Sequence, residues 1–349
     1  MPYDSHNHAA RPAEPGAGTA VPLRAAVAAW QGASPARSLG QAATSFLPFL
    51  ALCAMMYASV GLALPYWETL LLALPAAGFV VRIFIIQHDC GHGAFFRSRR
   101  ANEMMGRLCS LFTMTPFANW RRQHAGHHAH WNNLDRRDAG IDMYSSCLTL
   151  DEYRAMGRFA RLRYRLLCHP VIALLVLPPV IFLLLYRLPF DTPKAWRRER
   201  LSVHLTNLSL LLLVLGLGFT LGFRAVLLVQ LPVMAVAAII GVWLFSVQHR
   251  FEGTVWLRQS DWNARTASLE GSSYLKLPRL LQWFTGNIGF HHVHHLNPHV
   301  PNYRLQACHE AVPALRAMPG LGLRASLRGC RLALWDEARG RMVRFPARI

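Results

Sequence analysis

Four long apolar runs separated by basic polar stretches dominate the chain. Ser45 to Leu64 reads as a first membrane span. Pro65-Tyr66-Trp67-Glu68 is a tight turn with aromatic residues suited to a membrane interface, and Thr69 to Ile86 returns as a second span. Val203–Gly222 and Ala225–Val247 form a second hairpin around a short turn at Phe223-Arg224. Leu108 to Trp120 is apolar but too short to cross roughly 30 Å of hydrocarbon, and it contains Pro116; it reads as interfacial. Cys168 to Tyr186 is long enough, but Pro170, Pro178 and Pro179 disfavour a straight helix.

Basic loops fix the sidedness. Arg97, Arg99 and Arg100 follow the second span, and Lys194 to Arg200 carries a dense basic cluster before the third. Lys and Arg collect on the cytoplasmic side, so both loops belong there. That parity requires the segment 168–187 to be re-entrant or interfacial. Both hairpins then open to the cytoplasm. The predicted fold is an all-α integral membrane protein: two helical hairpins, interfacial or re-entrant helices, and a cytoplasmic cap. Residues 1–40 read as a polar, disordered arm, 41–315 as the membrane domain with its cap, and 316–349 as a basic peripheral segment. The first apolar run lies too deep for a cleaved signal peptide, so the first span is expected to act as an uncleaved insertion signal.

Composition agrees. Of 349 residues, 53% are hydrophobic and 16% charged, and the formal net charge is +19. The basic residues flank apolar spans, which argues for anionic lipid and against nucleic acid as their partner. The seven cysteines form no CxxC pair, and Cys53 and Cys109 read as inert core residues.

The chemistry lies in the histidines. Gly286 to His295 ends in His291-His292-Val293-His294-His295. On a helix, His291, His294 and His295 share one side, where three imidazoles can hold a metal, and His292 points elsewhere. His124, His127 and His128 repeat the spacing; His88 and His92 stand at i, i+4; His249 closes the last apolar run. Nine candidate ligands in four places suggest two metals. Imidazole suits zinc, copper, iron and nickel. A large, nearly pure histidine set at a membrane edge favours redox-active iron over structural zinc, which takes a closed four-ligand site. Asp89, Asp135, Asp138 and Glu252 are candidates to receive the outer N–H of a ligand ring, against a plain role as surface ion pairs. Asn287 is a candidate to orient the loop, hold a metal-bound water or cap the helix. His130, His169, His204, His299 and His309 fall outside the pattern and read as structural or surface residues. His6 and His8 belong to the arm. Trp243, Phe245 and Phe112, in the apolar runs, are candidate walls of a channel between the spans, against plain core packing.

The ordered motifs His88-Asp89-Cys90-Gly91-His92, His124-Ala125-Gly126-His127-His128 and His291-His292-Val293-His294-His295 resemble the membrane fatty acid desaturase superfamily. The likeness is nearest to bacterial and cyanobacterial acyl-lipid desaturases. Ala118-Asn119-Trp120-Arg121, Val247-Gln248-His249-Arg250-Phe251-Glu252 and Pro301-Asn302-Tyr303 extend it, and it covers roughly residues 45–310. The resemblance implies a mushroom-like helical fold and a non-haem centre of two iron ions. Its ligands are His88, His92, His124, His127, His128, His249, His291, His294 and His295. Molecular oxygen is the implied co-substrate in removal of two hydrogens from an acyl chain carried on a membrane lipid or another carrier. No HPGG motif of a fused haem domain occurs, so a separate donor is implied, a ferredoxin with its reductase. The protein is expected in the cytoplasmic (inner) membrane with its histidines on the cytoplasmic side. Competing readings are a hydroxylase or acetylenase of the same superfamily and, more distantly, a metal transporter.

Overall fold

The computed structural model describes residues 22–137 and 146–347. Four of its helices are long and apolar enough to cross a membrane: α1 (Pro35–Gly61), α2 (Tyr66–Gly91), α5 (Arg197–Leu221) and α6 (Phe223–His249). They form two antiparallel hairpins that pack through α2 and α6. Phe49, Met56, Ile83, Ile86, Val229 and Val233 fill the seam. The opposite faces stay bare, with Leu47, Leu212 and Phe219 among the exposed side chains, as lipid-facing helices require. The ends of α2 and α6 emerge on one side. There α3 (Arg99–Thr113), α4 (Phe117–His130), α7 (His291–Leu296) and α8 (Asn302–Ala311) build the cap.

The first helix starts ten residues earlier than hydropathy places it. Pro35 sits at its first position, where a missing N–H costs nothing. Its inward residues there are polar and bonded into the cap: Ser38 Oγ donates to the Phe95 carbonyl at 2.5 Å, and Gln41 Nε2 donates to Asn302 Oδ1 at 3.0 Å. Before it, Leu23–Ala28 is helical and buries Val27. The polar arm expected over 1–40 is therefore, among the described residues, partly ordered and packed. The stretch Leu108–Trp120 is likewise not one interfacial piece. It breaks at Met114-Thr115-Pro116, with Met114 at φ +53°, into the end of α3 and the start of α4.

The proline-rich segment is bent. Arg158–Leu167 and Ile172–Arg187 meet at 53°, so a fifth span exists only if both halves count as one. Ile172–Val176 winds as a π-helix just before Pro178 and Pro179. Those prolines supply no N–H to the carbonyls one turn earlier, and the widened turn is the local response. Ile172–Arg187 alone is about 24 Å long, short of the hydrocarbon thickness.

The C-terminal segment is not peripheral. Among the described residues after 315, β4 (Leu334–Asp336) pairs with β1 (Leu148–Thr149) in parallel and with β5 (Arg341–Val343) in antiparallel fashion. Leu334, Trp335 and Met342 are buried against Leu134, Cys147, Tyr153 and Trp256. The arginines hide this pattern in the sequence, yet Arg341 of β5 is exposed while Met342 is buried in the core and Val343 is half-buried. A second pair, β2 (Tyr274–Lys276) with β3 (Gly320–Gly322), lies beside α7.

Candidate metal centre

The fold brings together all nine histidines of the four motif segments. They fall into two groups, each with its donor nitrogens within 4.8 Å of one another. The first holds His88, His92, His124, His128 and His294; the second holds His127, His249, His291 and His295. The three rings of one HxxHH motif do not gather at one point. Successive residues on a helix turn by about 100°, so positions i and i+4 lie within about 40° of each other while i+3 falls about 60° to the other side. The i, i+4 pair of α4 therefore serves the first group, and its His127 serves the second. On α7 the assignment is reversed: His291 and His295 serve the second group and His294 the first.

Nitrogen faces nitrogen. In the second group the Nε2 atoms run in a ring: His127 to His249 at 3.1 Å, His249 to His291 at 3.1 Å, His291 to His295 at 2.9 Å and His295 to His127 at 3.3 Å. In the first, His92–His124, His124–His128 and His128–His294 stand at 3.1, 3.2 and 3.0 Å. Spacings near 3 Å are the edges expected for nitrogens about 2.1 Å from a shared cation. Burial pushes His92, His124, His128, His291, His294 and His295 well below the ordinary imidazole pKa. Repulsion from neighbouring rings, were they charged, acts in the same direction. The rings are thus neutral donors with converging lone pairs, a set that fits divalent cations.

Outer contacts fix ring orientation. His88 Nδ1 lies 3.2 Å from Asp89 Oδ1, while Asp89 Oδ2 accepts from the Asn302 backbone and side-chain nitrogens at 2.7 and 2.8 Å. His249 Nδ1 lies 3.0 Å from the Gly271 carbonyl oxygen. Trp120 stacks on His124 with ring centroids 4.6 Å apart. The short α7 is set by the loop before it. Gly286 (φ +51°) and Asn287 (φ +58°) take left-handed turns, and a Cβ on Gly289 would stand 2.6 Å from the Leu275 carbonyl oxygen.

Of the outer candidates, Asp89 touches a ligand ring. Asp135 instead pairs with Arg258 at 2.7 Å, Glu252 is exposed beyond α6, and Asp138 lies outside the described residues, as do His6 and His8. Asn287 orients its loop, donating to the Asn302 carbonyl at 3.2 Å and accepting from Gln282 at 3.1 Å. His292 turns away from both groups, as helix spacing requires, and its Nε2 lies 3.1 Å from His309 Nδ1. That partner, 17 residues along the chain, carries no motif that would have revealed it.

An apolar cavity of about 160 Å³ ends at His88, His124, His127 and His291, so it meets both groups. Val80, Val81, Phe84 and Ile85 of α2 form one wall and Met234 to Gln248 of α6 another. Ile181 to Tyr186, in the bent segment, form the third. Phe245 lines it as expected. Phe112 and Trp243 do not; Phe112 packs edge-on against Phe46 and Phe49, and both residues belong to the hydrophobic core.

A sequence profile described as fatty acid desaturase matches residues 63–326, a span that holds all nine histidines. The chain belongs to the fatty acid desaturase family. A fatty acid desaturase of Bacillus subtilis is 42% identical over 321 residues, covering 92% of this chain and 89% of that protein. The sn-1 oleoyl-lipid 12-desaturase of Synechocystis is 25% identical, with 65% and 63% covered. The sn-1 acyl-lipid omega-3 desaturase (ferredoxin) of the same organism is 27% identical, with 66% and 63% covered. The desaturase is accordingly an oxidoreductase with membrane-spanning helices and two histidine clusters able to hold metal.

Proposed function

We propose that this desaturase introduces a double bond into the acyl chain of a membrane lipid at two iron ions held by the nine histidines, with molecular oxygen as co-substrate. The observation that carries the reading is the junction of an apolar cavity between spanning helices with both groups of neutral imidazoles. Bound iron would supply oxygen reduction and the hydrogen-abstracting power that no side chain here possesses. His88, His92, His124, His128 and His294 would hold one ion, and His127, His249, His291 and His295 the other.

The remaining work belongs to the chain. Asp89 and the Gly271 carbonyl keep the Nδ1 protons of His88 and His249 turned outward, so that Nε2 points inward. The walls from α2, α6 and the bent segment exclude water and hold two neighbouring methylenes at the histidines. The donors cluster at the ends of α2 and α6 rather than along a path through the spans, which argues against a transporter.

The basic loops between spans support a cytoplasmic orientation in the inner membrane. A ferredoxin with its reductase is the proposed donor; one cyanobacterial relative is named for ferredoxin, and a basic face attracts an acidic carrier. The test is mass-spectrometric fatty acid analysis of cells expressing the wild type or His294→Ala with a ferredoxin system. A lipid lighter by two hydrogens, absent from the variant, is the expected result. A product heavier by one oxygen would make the enzyme a hydroxylase. Loss of hydrogens only from chains already unsaturated would make it an acetylenase or a second-step desaturase.

A further inference from the structure

A second cavity, of about 670 Å³, lies along another face of α2 and shares no lining residue with the acyl cavity. Arg82 of α2, Arg37 of α1 and Arg279 line it, together with Thr44, Gln282 and Gln306; its lining includes no Asp or Glu. Arg82 is only 7% exposed. Its guanidinium lies 3.9 Å over the Trp283 ring, and Nη1 donates to the Trp283 carbonyl oxygen. Its Nε is buried with no hydrogen-bond partner. No ion pair among the described residues includes Arg82, Arg37 or Arg279.

A guanidinium taken out of water on a spanning helix is costly unless an opposite charge meets it. An aromatic face and one carbonyl leave most of its five donors without an anion. Its planar fork matches the oxygens of a phosphate better than a lysine would. Arg82 lies six residues before His88, about 9 Å further along the helix, and lines the cavity together with Thr44 of α1. Exposed Leu39, Leu47 and Leu280, next in sequence to or near its lining residues, offer apolar surface to acyl chains.

We propose that this cavity binds a phosphate group, supplied by a membrane phospholipid. Arg82 takes the phosphate oxygens from below while Arg37 and Arg279 close over it from the rim. This lipid is separate from the substrate, because different faces of α2 line the two cavities. Free phosphate shares the same recognising chemistry, and the test separates the two sources.

Full-length protein, purified in neutral detergent and stripped of lipid, would be titrated in thermal unfolding. The probes are dioleoyl phosphatidylglycerol, dioleoylglycerol without the phosphate, and inorganic phosphate. Phosphatidylglycerol is expected to raise the melting temperature saturably, and dioleoylglycerol to leave it unchanged. Arg82→Gln removes the buried donor. The rim variant Arg37→Gln/Arg279→Gln serves if that protein does not fold, and is expected to need at least tenfold more lipid. A control with equal charge loss elsewhere, Arg99→Gln/Arg100→Gln, should respond as the wild type does. Protection by inorganic phosphate alone, lost in the rim variant, would keep the phosphate site and assign it to the soluble ion. Equal protection by dioleoylglycerol, no response of the wild type to either phosphate source, or an undiminished response in the rim variant would overturn the proposal.

Discussion

In the five-histidine group the ring of His88 rests on Asp89, itself held by two nitrogens of Asn302. In the four-histidine group the ring of His249 rests on the backbone carbonyl of Gly271. A carboxylate makes the imidazole it touches more basic, whereas a peptide carbonyl orients it with less charge. Exposure differs too. His92 and His128 are partly exposed, while all four residues of the second group are buried. Two sites that share α4 and α7 but draw their other donors from α2 and α6 thus have different outer supports and different access to water. The first has a charged support at one ring and two partly exposed donors; the second is buried, with a main-chain support at one ring.

The largest expected effect comes from removing a donor. His294→Ala and His127→Ala take one nitrogen from the first and second group respectively. Each should cost more activity than the roughly 100-fold upper end for outer partners, while the protein stays in the membrane. Metal content of the purified variants checks this, and full activity in either would remove that residue from the ligand set. Next comes Asp89→Asn, which keeps the shape but not the charge. It should weaken metal affinity about 10- to 100-fold, and mainly for the first group, leaving a protein that retains about half its metal under mild chelation. Equal loss from both groups would erase the distinction drawn between them.

Acid acts on both groups through the free rings. Burial holds six of the imidazoles below their ordinary pKa in the folded protein, so the unfolded chain binds more protons as pH falls through about 6.5. The sign follows: metal-free protein should be most stable above that pH and lose stability below it. Thermal unfolding of chelator-treated protein between about pH 7.5 and about pH 5.5, about one unit either side of the ordinary imidazole value, would read this; a flat profile would mean that the rings take up protons equally in the folded and unfolded chain. The smallest effect belongs to His169→Ala. That side chain is exposed on the bent segment, away from both groups, and activity should stay within about twofold. An inactive but folded variant would place His169 in the site.

The sequence discloses the centre because donor type and helical spacing carry the chemistry together. Four histidine segments at the ends of apolar runs, with basic loops setting parity, suffice to bring them to one face. The division of each motif between two groups is not in the spacing alone, since it depends on how α4 and α7 face each other. The start of α1 escaped hydropathy because its buried positions include Ser38, Gln41 and Ser45, polar residues that bond to distant chain or to the helix itself. The strand role of Leu334–Asp336 and Arg341–Val343 was masked by surrounding arginines, whose exposed positions say nothing about the Trp335 and Met342 between them. The bent segment was legible as an exception through its prolines, but its part as a wall of the acyl cavity required seeing what it lies against.

The crossed use of the two HxxHH helices bears on how the centre fills. Each of α4 and α7 contributes donors to both groups, so occupancy of one group would fix the rotation and height of helices that carry three of the five donors of the first group and three of the four of the second. An ion captured first spends part of its binding energy ordering donors for the second, which then arrives at a finished pocket. Loading of the wild type should therefore be steeper than two independent sites would give. Stripping should show the mirror image, in which extraction of one ion loosens the other.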